Sequence, residues 1–360
     1  MRRRFGAPEE QPPARRVSGG PTSPPKGGAA TRPKAPVRYL AAMNVASLIS
    51  PRAWRDRAVE AVWRLAPGLP ADPVTFTWPV DREVLQEVRV RWPRVYQWPP
   101  RAIIGEQLYH GLRRFVAVER VELAQPYQGC IVCEVVVRGR ARRVVFETKD
   151  YADLEEPAYQ DADLHFKMEF RLGGYGARDR LLPGGYVSAD RSLYTYLPRL
   201  RRMRDELPPR WEVYGRYGLS LEKRQRPLEI LRDARAFTFY GGAGKVRYSA
   251  YLREMARASI CIDLPSMSSI PFRVIDLLAV GSCAVGPPHT NQLLMPLQDG
   301  VHVTYCRSDY SDLEEVCAEL LADQERQRRL IANSRAFFNA YVHRDQQTSY
   351  YLQHCLARLG

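Results

Sequence analysis

The chain has 360 residues, is 45% hydrophobic and carries a formal net charge of +14. That is enough apolar material for two domains, and no run approaches the roughly 18 uninterrupted apolar residues of a membrane-spanning helix. Seven cysteines, an odd number in a chain with no secretory leader, argue against a disulfide framework and for thiols in a reducing compartment.

Residues 1–36 hold eight prolines and five glycines, with eight basic residues against two acidic ones. Such a stretch buries too little apolar surface to offset the entropy of ordering, so it reads as a disordered basic tail. The tail takes +6 of the charge and leaves +8 for the rest. A basic surface attracts phosphates, nucleic acid or anionic lipid without specifying which. No RNP, zinc-finger or helix-turn-helix signature supports a specific nucleic-acid role. The opening MRRRFG is followed by Pro, Gly, Ser and charge instead of an export signal's apolar run, so a cytoplasmic protein is expected.

Residues 37–180 form the first expected domain. Trp54 to Leu65 reads as a helix, Val74 to Trp78 as a strand, and Asp81 as the cap of a helix running to about Val90. The aromatic cluster Trp92, Tyr96, Trp98 with Pro99 and Pro100 reads as a loop, and Ile103 to Phe115 as a helix. Cys130 to Val137 and Arg142 to Thr148 make a hairpin across Arg138-Gly139-Arg140-Ala141. Cys130 and Cys133 have C-x-x-C spacing, but they lie in a strand with no second ligand pair, so no metal site is expected there. The second hairpin strand runs into Glu147, Lys149 and Asp150, a charged strand end of the sort that bears catalytic groups in α/β enzymes. In Asp163 to Phe170, His165, Lys167 and Glu169 alternate with apolar residues, which predicts one core face and one solvent or cleft face.

Glycine and proline rise around 173–185, where the hinge between domains is expected. The second domain, 181–344, reads as alternating elements: strand Gly185 to Ala189, helix Ser192 to Glu206 broken or kinked at Pro198, strand Trp211 to Gly215, helix Pro227 to Arg235. There follow strand Phe237 to Tyr240, helix Arg247 to Ala258, strand Ser259 to Leu264, helix Phe272 to Val280 closed by Gly281, and strand Cys283 to Gly286. Val301 to Cys306 is a further strand, and 311–323 and 324–341 are amphipathic helices. A last helix, 345–360, stands apart as its own element. Short connections between alternating strands and helices predict a parallel sheet whose ligands sit at the carboxyl ends of the strands.

At that edge a nucleoside diphosphate needs backbone N–H groups, a cation and a carboxylate for the ribose. Gly241, Gly242 and Gly244 allow close backbone approach, Lys245 or Arg247 supplies the cation, and the 265–271 loop leads into a helix N-terminus at Arg273, one turn before Asp276. Lys245 also answers the charge of a departing diphosphate. Asp150 or His165 is the candidate base. Asp161-Ala162-Asp163 has D-x-D spacing but precedes a strand instead of following one, so metal-independent chemistry with no resident cofactor is expected.

The run Ala256-Arg257-Ala258, a strand ending Asp263-Leu264-Pro265, and F-R-x-x-D-x-x-A-x-G-S-x-x-V from Phe272 resemble the nucleotide-sugar half of GT-B glycosyltransferases, over roughly 180–345. The likeness is to the group 1 and spore-maturation-like domains. It implies an α/β fold of two Rossmann-like domains facing a cleft, with the C-terminal helix crossing back to the first domain. In that family the helix reads R-x-x-E-x-x-A-x-G and its carboxylate meets the donor ribose. Arg273, Asp276, Ala279 and Gly281 match, with Asp replacing Glu, whereas the family's earlier glutamate is Ser268 here. The resemblance implies a hexosyltransferase-like enzyme moving a sugar from a nucleotide sugar to a glycan, lipid or protein acceptor, with peripheral contact to anionic membrane as a role for the basic charge. The alternative is a non-catalytic nucleotide-sugar or glycan-binding protein of the same fold.

Overall fold

The computed structural model describes residues 51–65, 74–98, 102–218, 221–244 and 246–359. The basic tail, Pro99, Pro100 and the candidate cation Lys245 lie outside the described residues.

The first sheet contains β1 (Val88–Pro93), β2 (Ala117–Val121), β3 (Cys130–Val137), β4 (Arg140–Glu147), β5 (Leu164–Lys167) and β7 (Leu181–Pro183), in the order β2-β1-β3-β4-β5-β7. It is mixed. β1 is antiparallel to β3 and β3 to β4, while β4, β5 and β7 run parallel. The expected hairpin is there, turning on Arg138 and Gly139 at positive φ of 50° and 79°. Along β3, Cys130 and Val132 pack on one face and Ile131, Cys133 and Val135 on the other, so the two cysteines point to opposite sides.

The second sheet contains β8 (Trp211–Tyr217), β9 (Phe239–Ala243), β10 (Ala258–Ile262), β11 (Cys283–Gly286) and β13 (Thr304–Tyr305), in the order β13-β11-β10-β8-β9. Every pairing in it is parallel, as the strand–helix alternation predicts. Helix Phe272–Val280 has the expected bounds and stops at Gly281, whose φ of 80° is the left-handed turn that favours glycine. A third, two-stranded antiparallel sheet pairs β6 (Phe170–Arg171) with β12 (Asn291–Gln292), joining the chain just after β5 to the chain just after β11.

The final helix, Arg344–Leu359, packs on the first sheet. Tyr351 lies 4.7 Å from the ring of Phe166 and 5.1 Å from that of Phe146. The same helix explains why 74–78 is not a strand. Gln346 Oε1 accepts from Thr77 N–H at 3.0 Å, Gln346 Nε2 donates to Thr75 O and Ser349 Oγ to Trp78 O, so this extended segment is bonded to a helix and not to a sheet.

Three other expectations are corrected. Asp81 does cap a helix, but it ends at Gln86 and the alternating Val-Arg-Val-Arg-Trp that follows is β1. The stretch from Gly185 to Ala189 joins neither sheet, and helix Leu193–Glu206 runs through Pro198 unbroken. Among the described residues no helix is long and apolar enough to cross a membrane.

Candidate functional site

At the carboxyl ends of the second sheet, side chains from three neighbouring strands converge on Asp263, the residue after β10. His289, in the loop after β11, holds Asp263 Oδ2 with Nε2 at 3.1 Å, and its Nδ1 meets the hydroxyl of Tyr305 in β13 at 2.9 Å. Arg273, in the first turn of helix Phe272–Val280, stands 3.5 Å from Asp263 Oδ1 and donates to Leu264 O at 3.1 Å. Its guanidinium lies 4.5 Å from the ring centre of Tyr217, whose hydroxyl donates to Ile262 O at 2.5 Å. Parallel strands bring their ends to one edge, and this polar chain fixes the loops that leave that edge.

Arg224 approaches the same edge from the short helical turn Glu222–Arg224. Its Nε donates to Pro265 O at 3.0 Å and its Nη1 to Gly218 O at 3.1 Å, while Nη2 meets no acceptor among the described residues. Burial, then the nearby charge of Arg273, push this guanidinium below its usual range. A pocket of about 290 Å³ opens in front of it, bounded by Asp150 and Met168 from the first sheet's side and by Ser266, Ser268 and Phe272. Helix Phe272–Val280 starts at Pro271 with no side-chain cap, Val274 N–H turns back to Pro271 O at 2.9 Å, and Pro271 and Phe272 line the pocket, so the helix start faces it with no side-chain acceptor of its own. An unpaired guanidinium nitrogen beside an uncapped helix N-terminus is a setting for an anion.

The residues singled out from the sequence are distributed as follows. Asp150, half-buried, borders the pocket. Arg273 sits behind it, turned to Asp263. Asp276 does not line the pocket. It is buried, its Oδ1 accepts from the Tyr248 hydroxyl at 2.7 Å, and burial pushes its carboxyl up to about 7 against that hydrogen bond and the charge of Arg273. Arg247 precedes helix Tyr248–Ala256 and is held by Glu60 of helix Pro51–Leu65. Gly241 and Gly242 lie inside edge strand β9, with Gly244 just past its end. Gly241 has φ of 128°, and a Cβ there would come within 2.0 Å of Gly215 O, so the glycine is required by strand pairing.

His165 faces no cleft. It is fully buried, with Nε2 3.0 Å from Glu147 Oε2, and Lys167 Nζ donates to the other Glu147 oxygen at 2.7 Å. Lys167 also donates to Tyr151 O and Asp153 O, at 3.0 and 2.9 Å. The alternating face predicted for solvent or a cleft is instead closed over, its charges satisfied by one another and by the loop that carries Asp150. Next along the chain, Glu169 is buried and accepts from Tyr186 OH at 2.7 Å and from Asn291 Nδ2. Burial pushes its carboxyl up. Sequence reading missed Arg224, Asp263, His289 and Tyr305. The local signals were the basic run Lys223-Arg224-Gln225-Arg226, the position of His289 in a strand-end loop, and Asp263 at the Asp263-Leu264-Pro265 strand end, which was read as part of the resemblance and not as a site.

Residues 223–353 match the family described as glycosyl transferase-like, which covers helix Phe272–Val280, His289, Tyr305 and Arg224. The resemblance read from the sequence is therefore met in this part of the chain. Among curated proteins none matches. Among solved structures, HepE of Anabaena in complex with UDP and glucose is similar at 13% identity, over 69% of this chain and 88% of that one, with a TM-score of 0.35.

Proposed function

We propose that the protein is a glycosyltransferase that takes a nucleotide sugar as donor and holds its diphosphate in the pocket between Arg224 and the N-terminus of helix Phe272–Val280. The observation that carries this reading is the pairing of an incompletely bonded, buried guanidinium with an uncapped helix start in the glycosyl transferase-like segment. Phosphate oxygens are acceptors only, so they complement both. As the glycosidic bond to the donor breaks, negative charge grows on the departing diphosphate, and preorganised donors stabilise that charge without reorganising. On this reading fixed guanidinium charge does the work without a protein-held metal or a resident cofactor.

Asp150 is the group on the opposite wall of the pocket and is the base we assign if the sugar is transferred with inversion. His165 is not carried into the mechanism, because its ring is fully buried, with Nε2 bonded to Glu147. Asp276 is buried away from the pocket lining and accepts from Tyr248, so we assign it to anchoring helix Tyr248–Ala256. The reading extends to a glycan, lipid or protein acceptor.

A thermal-shift screen against UDP, GDP, ADP and CMP, repeated on Arg224→Ala, tests the donor site. A ligand that binds the folded state raises the melting temperature, and more so the tighter it binds. Stabilisation by a nucleoside diphosphate that disappears in Arg224→Ala is the expected result, followed by release of that nucleotide from its sugar conjugate. A donor that binds but is never turned over would favour the non-catalytic alternative, in keeping with Ser268 at the family's glutamate position.

A further inference from the structure

A second cavity, of about 260 Å³, lies between helix Ala102–Leu112, the segment 186–194 and the first turns of helix Arg344–Leu359. Its neutral polar side chains are committed to their own framework. Gln107 exchanges hydrogen bonds with Ser188, donating to Ser188 O at 2.6 Å and accepting from Ser188 Oγ at 3.0 Å. Gln347 donates to Val342 O and accepts from Tyr351 OH, both at 2.8 Å. Thr348 Oγ1 donates to Arg344 O at 2.7 Å.

What is left over is positive. Arg344 Nε is buried with no hydrogen-bond partner, and its guanidinium lies 4.2 Å from the ring centre of Tyr194. The nearest carboxylate, Asp345, is 3.9 Å from that nitrogen and is already gripped by Arg114 through two bonds of 2.7 and 3.1 Å. Arg191 has a single 3.4 Å contact, to the ring of His110. Tyr194 accepts from the Arg344 N–H at 3.2 Å, which leaves its own proton to give. No Asp or Glu lines the cavity. Arg114 and Arg344 thus share one carboxylate and Arg191 meets none among the described residues, so the unmet groups among these, the Arg344 Nε, the Arg191 guanidinium and the Tyr194 hydroxyl, are all donors. A buried donor without a partner is costly, and the ligand that relieves it must accept hydrogen bonds and carry negative charge.

We propose that this cavity binds the anionic group, phosphate or carboxylate, of a small molecule, with Arg344 and Arg191 as its charged contacts and the Tyr194 hydroxyl as a neutral donor. At about 30 Å³ per water the space holds roughly nine waters, which leaves room beside the anionic group for a body of about monosaccharide size. The site is separate from the pocket at Arg224 and does not depend on the transferase reading.

The test titrates the full chain with inorganic phosphate and, separately, with acetate, against chloride at matched ionic strength, by thermal shift and calorimetry. The comparison is made in the Arg224→Ala background, which keeps the other anion pocket out of the reading. That variant should still bind at least one of the two anions. Arg344→Gln and Arg191→Gln, each added to it, should lose about tenfold or more, the usual cost of one charge-assisted contact. Arg191 is exposed, so Arg191→Gln keeps the test decisive if Arg344→Gln does not fold. The proposal is overturned if neither anion binds Arg224→Ala, or if binding is undiminished when Arg191→Gln is added to that variant.

Discussion

The backbone N–H of Gly185 donates to the Tyr351 hydroxyl at 2.7 Å, and that hydroxyl in turn donates to Gln347 Oε1 at 2.8 Å. One phenol thus ties the final helix to the chain just as it leaves the first sheet, with its ring against Phe146 and Phe166. Tyr351→Phe keeps the ring and strands both partners in a buried setting. It should cost about 1–3 kcal/mol in urea unfolding with the circular dichroism unchanged. A loss below about 0.5 kcal/mol would show that the ring alone holds the helix.

Arg224→Ala removes the guanidinium at the candidate donor pocket together with its bonds to Pro265 O and Gly218 O. Nucleoside diphosphate affinity should fall roughly 10- to 150-fold, as for loss of charged hydrogen bonds. If the cation acts chiefly on the departing diphosphate, kcat falls as well as affinity. Unchanged calorimetric affinity on folded protein would move the donor elsewhere.

Lys167 and Glu147 form an ion pair from which solvent is excluded altogether. Lys167→Met leaves the Glu147 charge with only His165 and the Glu155 N–H, at 3.0 and 3.2 Å, and should cost about 3–5 kcal/mol. Adding Glu147→Gln should restore part of that loss, because the stranded charge is then gone. A double variant as unstable as the single one would mean that the packing, and not the charge, was at stake.

The Asp276 carboxyl, raised by burial to about 7, makes stability depend on pH in a set direction. Between about 4 and 7 the unfolded chain gives up this proton while the folded chain keeps it, so the residue lowers stability as pH rises, by at most about 1.4 kcal/mol per unit. Asp276→Asn keeps an acceptor for Tyr248 and removes the titration. Its stability relative to wild type should therefore rise from pH 4 to 7 and level off above. A difference that stays constant across that range would mean an Asp276 already ionised, as a ribose-binding carboxylate would be.

Much of the second sheet was legible, because each strand and helix there carries its own local signal and the connections are short. Helix Phe272–Val280 has Pro271 before it and Gly281 after it, and the structure gives it the same bounds. β1 was missed where two signals compete: the Asp81 cap starts a helix, and the alternation that overrides it begins only two residues after that helix stops. The polar face of β5 was misjudged for a different reason. Alternation reports that two faces differ, not whether the polar one meets water or its own counter-charge. The pairing of Glu147 with Lys167 comes from the register of β4 on β5. Asp263, His289 and Tyr305 are single residues brought together by three strand ends, 16 and 26 positions apart along the chain, and no local spacing announces them. The glycines of 241–244 were visible, but their reason was not: Gly241 is needed where β9 crowds the backbone of Gly215.

All seven cysteines are buried, and they are spread through both sheets and the helices around them: Cys130 and Cys133 in β3, Cys261 in β10, Cys283 in β11, Cys306 after β13, Cys317 in helix Leu313–Ala322 and Cys355 in the final helix. A thiol reagent therefore finds nothing to alkylate until the region around a given cysteine opens. The rate at which each one is modified then measures how often that region comes apart, and comparing Cys355 with Cys261 times the release of the final helix against the opening of the parallel sheet. The native chain, without any introduced label, already carries the reporters needed to ask which of its parts unfolds first.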